Sequence, residues 1–317
     1  MMSRLAIVGV GAIGGSVAAD LADLKRDELL LCTRTPFDSL VVEHPQGRTE
    51  VRGRLVASPS DAMPVDWVLL TTKAHQSAAA GPWLDALCGA ETVVAVLQNG
   101  VDHTARITPL VRPATPVLPV VVQLPAEKIA AGHVVQSRNG LLFVPDDTHG
   151  RRFATLFDGA RTSVRPTADF VSQAWWKLIS NAALGGVCAL AQRENAIARD
   201  PAVRELVIRL MREVVLVGRA EGASLPDDAP EKVLDRVLEA AADHWSSISV
   251  DRREGRTMEW EVRNAVVGRL GRIHGVATPW NDAITAMLRA ASGGSAGTDA
   301  ATQSSARRPA PSAAETG

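Results

Sequence analysis

The chain has 317 residues, 46% of them hydrophobic and 22% charged, the make-up of a soluble globular protein of one large or two ordinary domains. With 34 Lys and Arg against 35 Asp and Glu, the net charge is −1, so neither nucleic acid nor an anionic membrane is an expected partner. Tyr is absent, which excludes dehydrogenases built on a Tyr-Lys acid pair.

The first residues run directly into an apolar stretch, Leu5 to Val10, with no charged leader or cleavage pattern, so no secretory signal is expected. No apolar run reaches the ~18 residues of a membrane span. Cys32, Cys88 and Cys188 are odd in number and far apart. They form no metal-ligand spacing, argue against a zinc-dependent alcohol dehydrogenase, and fit a reducing cytoplasm.

In chain order, residues 4–10 read as a buried strand and 13–24 as a helix opened by glycines. Residues 28–33 read as a second buried strand. The runs Asp66 to Thr71 and Thr92 to Leu97 repeat that short apolar pattern, with helix-compatible sequence between them. Strands alternating with helices predict a parallel sheet covered on both faces. Between about 115 and 145 the apolar runs crowd together, which predicts hairpins or an antiparallel extension. Beyond Pro166 helical periodicity takes over, in segments near 170–191, 201–221, 228–241, 257–274 and 279–290. The predicted class is therefore α/β: a Rossmann-type parallel-sheet domain over 1–167, then an all-helical domain over 168–291. Residues 292–317 hold no Leu, Ile, Val or aromatic residue and are predicted to be a disordered tail.

Gly9-Val10-Gly11-Ala12-Ile13-Gly14 is a G-x-G-x-x-G turn placed directly between a strand and a helix, the context that makes it a dinucleotide site. Gly9 permits the turn, Gly11 lets the backbone approach a pyrophosphate, and Gly14 lets helix and strand pack closely. The helix start, with Ala12 and Ile13, offers amide donors to the phosphates. At the end of the second strand, an NAD-specific site would carry Asp or Glu. Here Thr33-Arg34-Thr35 supplies a cation, with Lys73 near the same edge, and NADPH is the expected cofactor.

With these motifs the chain resembles the ketopantoate reductase family over roughly 4–290. The likeness rests on Gly9 to Gly14, Arg34, Thr72-Lys73-Ala74-His75-Gln76 and Leu97-Gln98-Asn99-Gly100-Val101. It continues through Trp176-Lys177-Leu178-Ile179-Ser180-Asn181, Ser246-Ser247 and Gly255-Arg256-Thr257-Met258-Glu259. The resemblance implies NADPH-dependent reduction of a 2-oxo acid, with ketopantoate the leading substrate. It implies that Lys177 is the general acid and that Glu259 holds Lys177 and the substrate oxygens. Asn99 would sit where nicotinamide and substrate meet. Asn181 and Ser247 would bind the substrate's hydroxyl and carboxylate ends, and Arg34, Lys73 and Gln76 would meet the adenosine end of the cofactor. Asn195 matches a polar family position loosely.

The residues alone support part of this: Lys177 and Asn181 are one helical turn apart, and Asn99 follows a strand at the edge where such sheets bind ligands. Read alone, Lys177 is also a lysine snorkelling beside Trp175 and Trp176, Glu259 a first-turn helix carboxylate, and Ser247 a helix cap. Gly185-Gly186 stands where the family carries a second Asn, and Val250 and Trp260-Glu261 depart too, which leaves the substrate's identity open. A related reductase of a bulkier ketone and a non-catalytic NADPH sensor are the alternatives. The apolar helical stripes are compatible with a homodimer and equally with an internal core.

Overall fold

The computed structural model describes residues 3–25 and 28–292. It opens with strand β1 (Arg4–Val8), helix α1 (Ala12–Leu24) and strand β2 (Glu28–Cys32). Strands β3 (Leu40–His44), β4 (Gly47–Val51), β5 (Arg54–Val56) and β6 (Val65–Leu70) follow. Then come α2 (Gly81–Leu87), β7 (Cys88–Val96), α3 (His103–Ile107), β8 (Val117–Pro119), β9 (Val121–Gln123), β10 (Ala126–Ala130), β11 (His133–Gln136), β12 (Leu141–Pro145), α4 (Thr148–Leu156) and β13 (Ser163–Thr167).

The main sheet has six strands in the order β5-β2-β1-β6-β7-β8, every neighbouring pair parallel, as the alternating apolar runs predict. Its central strands are near-continuous apolar runs because both faces are covered. One face carries Leu5, Ile7, Leu69 and Ala95 against α1, and the other carries Ala6, Val8, Val68 and Leu70 against α2 and Ile107 of α3. Each such Leu, Ile or Val contributes about 1.5–3 kcal/mol by leaving water.

Two departures from the predicted order stand out. Residues 40–51 form an antiparallel hairpin, β3 with β4, that joins β10 and β11 in a second sheet of order β10-β11-β3-β4. The predicted antiparallel region is real in β10–β11 and in β12 against β9, but β8 extends the main sheet in parallel instead. The small second sheet packs against α1 and holds it over the main sheet.

After β13 the described chain is helical: α5 (Phe170–Ala191), α6 (Pro201–Ala220), α7 (Ala229–Ala240), α8 (Ser247–Arg253), a π turn over Glu261–Ala265, α9 (Val266–His274) and α10 (Pro279–Ser292). Helix α5 is the axis of this half and contacts α6, α7, α8 and α10. Asp169 and Asp200 cap α5 and α6 through backbone amides of their first turns. The seven-residue α8 is absent from the periodicity reading, and the helix predicted from 257 begins only at Trp260, opening with the π turn that runs into α9. The predicted disordered tail lies outside the described residues, except for Ser292, which ends α10. No described helix is long and apolar enough to cross a membrane. The three cysteines are free and buried.

Candidate active site

Strand register brings four turns to one edge of the main sheet. Val8 pairs with Cys32 and with Leu70, and Leu70 pairs with Val96. The residues just beyond, Gly9–Gly11, Thr33–Thr35, Thr71–Lys73 and Gln98–Asn99, therefore share the carboxyl edge, where open parallel sheets bind ligands. They line a cavity of about 510 Å³ that continues to α5, α8 and the π turn.

Gly9 has φ of +100°, and a Cβ on Gly14 would lie 2.4 Å from the Gly9 carbonyl oxygen and 2.5 Å from Thr71 Oγ1. Only glycine fits either position. A Cβ on Gly11 would meet nothing within 4 Å, so the cavity reaches its backbone. Helix α1 starts at Ala12 with no side-chain cap and no acidic residue in its first turn. Its first amides are left for an anion, and a dinucleotide pyrophosphate fits this cradle. Thr33 Oγ1 donates to Thr35 O at 3.0 Å, a tight turn that leaves Arg34 exposed at the cavity rim. Gln76, part-buried, lines the same cavity.

At the other end, α5 presents Lys177 and, one turn later, Asn181. Lys177 is half-buried and lines the cavity. Nζ donates to the Val122 carbonyl at 2.6 Å and to Asn99 Oδ1 at 3.1 Å. Asn99 Nδ2 donates in turn to Glu259 Oε2 at 3.0 Å. Burial, helped by the Arg263 charge and opposed by Glu259, brings Lys177 from the ordinary 10.5 down to about 7. Burial alone would raise the Glu259 carboxyl. The Lys73 and Arg263 charges, the Ala74 amide and Asn99 overcome it and hold Glu259 down at about 2.

Lys73, expected with Arg34 near the adenosine end, lines the same cavity as Arg34 and pairs with two carboxylates of the helical half. Lys73 Nζ lies 2.8 Å from Asp251 Oδ2 and 3.5 Å from Glu259 Oε2. Both carboxylates are buried and need a counterion, and the four-carbon lysine stem reaches them from the strand end. Glu259 also has no direct hydrogen bond to Lys177; it reaches Lys177 through Asn99, and its Oε1 accepts the Ala74 amide at 2.8 Å. The α8 cap is Ser246, whereas Ser247 lines the cavity and accepts from Arg263 Nη2 at 2.7 Å. Asn181 lines the cavity, and its side chain makes no hydrogen bond among the described residues. Asn195 is buried away from it, donating to the Ala241 carbonyl.

Four further residues around the cavity escape the sequence reading. Arg106 donates to Gln98 Oε1 and the Asn99 carbonyl, and His103 bonds the Gln98 carbonyl, so the loop bearing Asn99 is braced from α3. Asp251 ties Lys73 and Arg256 to α8. Arg263, 2% exposed, lines the cavity from the π turn. Arg106 has a local signal, since it bonds Asp102 four residues earlier on one helix face. Arg263 has none. Among the described residues no His, Cys, Asp or Glu cluster could hold a metal ion.

Comparison with known proteins places the whole described chain in one family. The profile described as ketopantoate reductase PanE/ApbA matches residues 5–147, and its C-terminal counterpart matches 169–292. The chain is 43% identical to a 2-dehydropantoate 2-reductase of Caulobacter vibrioides, over 92% of this chain and 99% of that one. It is 39% identical to one from Mycobacterium tuberculosis, over 93% and 99%. A solved PanE/ApbA family ketopantoate reductase from Ralstonia eutropha superposes with a TM-score of 0.84 at 27% identity, covering 91% of this chain and 98% of that one. The chain belongs to the ketopantoate reductase family of oxidoreductases.

Proposed function

We propose that this chain reduces the C2 carbonyl of 2-dehydropantoate to give pantoate, with NADPH as the reductant, a step of pantothenate biosynthesis. The observation that carries the reading is the linked set Lys177, Asn99 and Glu259. It joins the two halves of the fold at the sheet edge where the glycine cradle opens. In this account the parallel-sheet half binds the cofactor and the helical half supplies most of the substrate contacts.

When bound in the glycine cradle, the reduced nicotinamide would supply the hydride that the carbonyl carbon accepts. Lys177 Nζ protonates the carbonyl oxygen, so the ketone becomes a secondary alcohol and the lysine is left neutral. A lysine titrating near 7 holds a transferable proton at neutral pH, which an ordinary lysine releases poorly. Asn99 fixes Nζ from one side and the Val122 carbonyl from the other, so the proton points into the cavity without rearrangement. Glu259 orients Asn99 and keeps the ammonium form populated. Asn181 and Ser247 face the substrate. Arg34 and the uncapped start of α1 receive the 2′-phosphate and the pyrophosphate; a carboxylate at position 34 would repel the former.

The substrate is tested by a panel. NADPH oxidation is followed with 2-dehydropantoate, with bulkier 2-oxo acids, and with NADH replacing NADPH. The expected result is highest kcat/KM for 2-dehydropantoate with NADPH. Preference for a bulkier 2-oxo acid would reassign the substrate, and cofactor binding with no turnover across the panel would reject the enzyme reading.

A further inference from the structure

Arg263 sits in the π turn Glu261–Ala265 between Trp260 and α9. Such a widened turn is a rare helical irregularity that recurs at functional sites. Here it buries three consecutive residues, Val262, Arg263 and Asn264. Nη2 donates to Ser247 Oγ at 2.7 Å. The buried Nε meets no acceptor. Nη1 meets none either, and among the described residues Arg263 forms no ion pair. A nearly buried guanidinium with most of its donors unused is costly unless an anion completes it.

The surroundings say where the anion goes. A Cβ on Gly185 would lie 3.7 Å from Arg263 Nη1 and 3.6 Å from Ile248 Cγ2. Those are ordinary contact distances, so the guanidinium packs closely against α5 at Gly185. Lys177 and Asn181 of α5 line the same cavity as Arg263. The ion pairs agree. Lys73 is paired with Asp251 and Glu259, and Arg256 with Asp251 and Glu254 at the rim. Arg263 and Lys177, by contrast, have no ion-pair partner among the described residues.

We infer that Arg263 is the carboxylate-recognising residue of this site, its guanidinium receiving the C1 carboxylate of the 2-oxo acid in the cavity it lines with Lys177 and Asn181. This deepens the proposed function and rests on it. Ser247 is then a positioning residue that holds the guanidinium plane through Nη2. A bound carboxylate near Lys177 also favours its ammonium form, so the substrate itself readies the acid. Recognition of this kind selects for the carboxylate beside the carbonyl rather than for a hydroxyl further along the chain.

The test is steady-state kinetics of the full chain with NADPH and 2-dehydropantoate, comparing the unmodified enzyme with Arg263→Gln and Arg263→Lys. Arg263→Gln should raise KM about 100-fold, the size expected when a charge-assisted fork to a carboxylate is lost. The kcat should fall less than KM rises, NADPH affinity should be unchanged, and Arg263→Lys should recover part of the loss. Loss of kcat at unchanged KM, or a lysine variant no better than glutamine, would overturn the inference. If Arg263→Gln does not fold, Arg263→Lys decides: keeping the charge but losing the planar fork, it should raise KM several-fold with kcat falling less, and an unchanged KM would refute the inference. Absence of turnover in the unmodified enzyme would instead refute the proposed substrate. The same comparison would then be run on whichever 2-oxo acid the panel identifies.

Discussion

The position of Lys177 makes a sharp prediction about pH. With the ammonium titrating at about 7, kcat/KM should be flat below pH 6 and fall tenfold per unit well above pH 7. About one enzyme in eleven carries the proton at pH 8 and about one in a hundred at pH 9. The substrate carboxylate stays ionised throughout, so it does not obscure the profile. The neighbours fix the direction of two further shifts. Glu259 favours the ammonium and Arg263 opposes it. Glu259→Gln should therefore move the midpoint to lower pH, and Arg263→Gln should move it higher. The assay is initial NADPH oxidation at subsaturating substrate across pH 5.5 to 9.5, with cofactor saturation checked at each point. A profile still flat at pH 9, the behaviour of a lysine with its ordinary value of 10.5, would refute the desolvated-acid account. So would shifts of the same sign in the two variants.

Three more outcomes follow from the same geometry. Because the folded value of Lys177 lies below its unfolded value, the unfolded chain binds the extra proton between pH 7 and 10.5. The burial penalty is therefore complete below pH 7 and lifts as pH rises. Lys177→Met should raise stability in urea at pH 6 by about 1–3 kcal/mol, with a smaller gain at pH 9; an equal gain at both would contradict the linkage. Arg34→Gln should raise the KM for NADPH by about 10–100-fold and leave that for NADH nearly unchanged, since only the former carries the 2′-phosphate. Gly14→Ala should cost about 1–3 kcal/mol of stability and weaken cofactor binding in calorimetry, because the new Cβ meets backbone oxygen at 2.4 Å.

The strand, glycine turn and helix of residues 4–24 are legible in sequence because their signals are local: a buried apolar run, then glycines at fixed offsets. The long helices α5 and α6 are legible for the same reason, with sustained periodicity and Asp caps. The β3–β4 hairpin is not, because its strands face a second sheet that forms only when residues 126–136 fold against them. Nor is α8, whose seven residues are too few for periodicity to register.

At the site, family-like motifs mark Lys177, Asn99 and Glu259, but the path by which Glu259 reaches Lys177 is a tertiary fact. Lys73 meets Asp251 and Glu259 across 178 and 186 residues of sequence, and spacing along a strand edge cannot anticipate that. Arg263 is the clearest case. An arginine in a helical stretch reads as a solvated charge until the π turn is seen to bury it.

The most direct test of the account follows NADPH oxidation by the purified chain with 2-dehydropantoate, beside Lys177→Ala, with NADPH affinity measured for both. The account predicts steady turnover by the unmodified enzyme. It predicts a loss of about 10²–10⁴-fold in Lys177→Ala, the range for removing a general acid, at unchanged cofactor affinity. Turnover that survives the substitution undiminished would contradict the central claim that Lys177 supplies the proton.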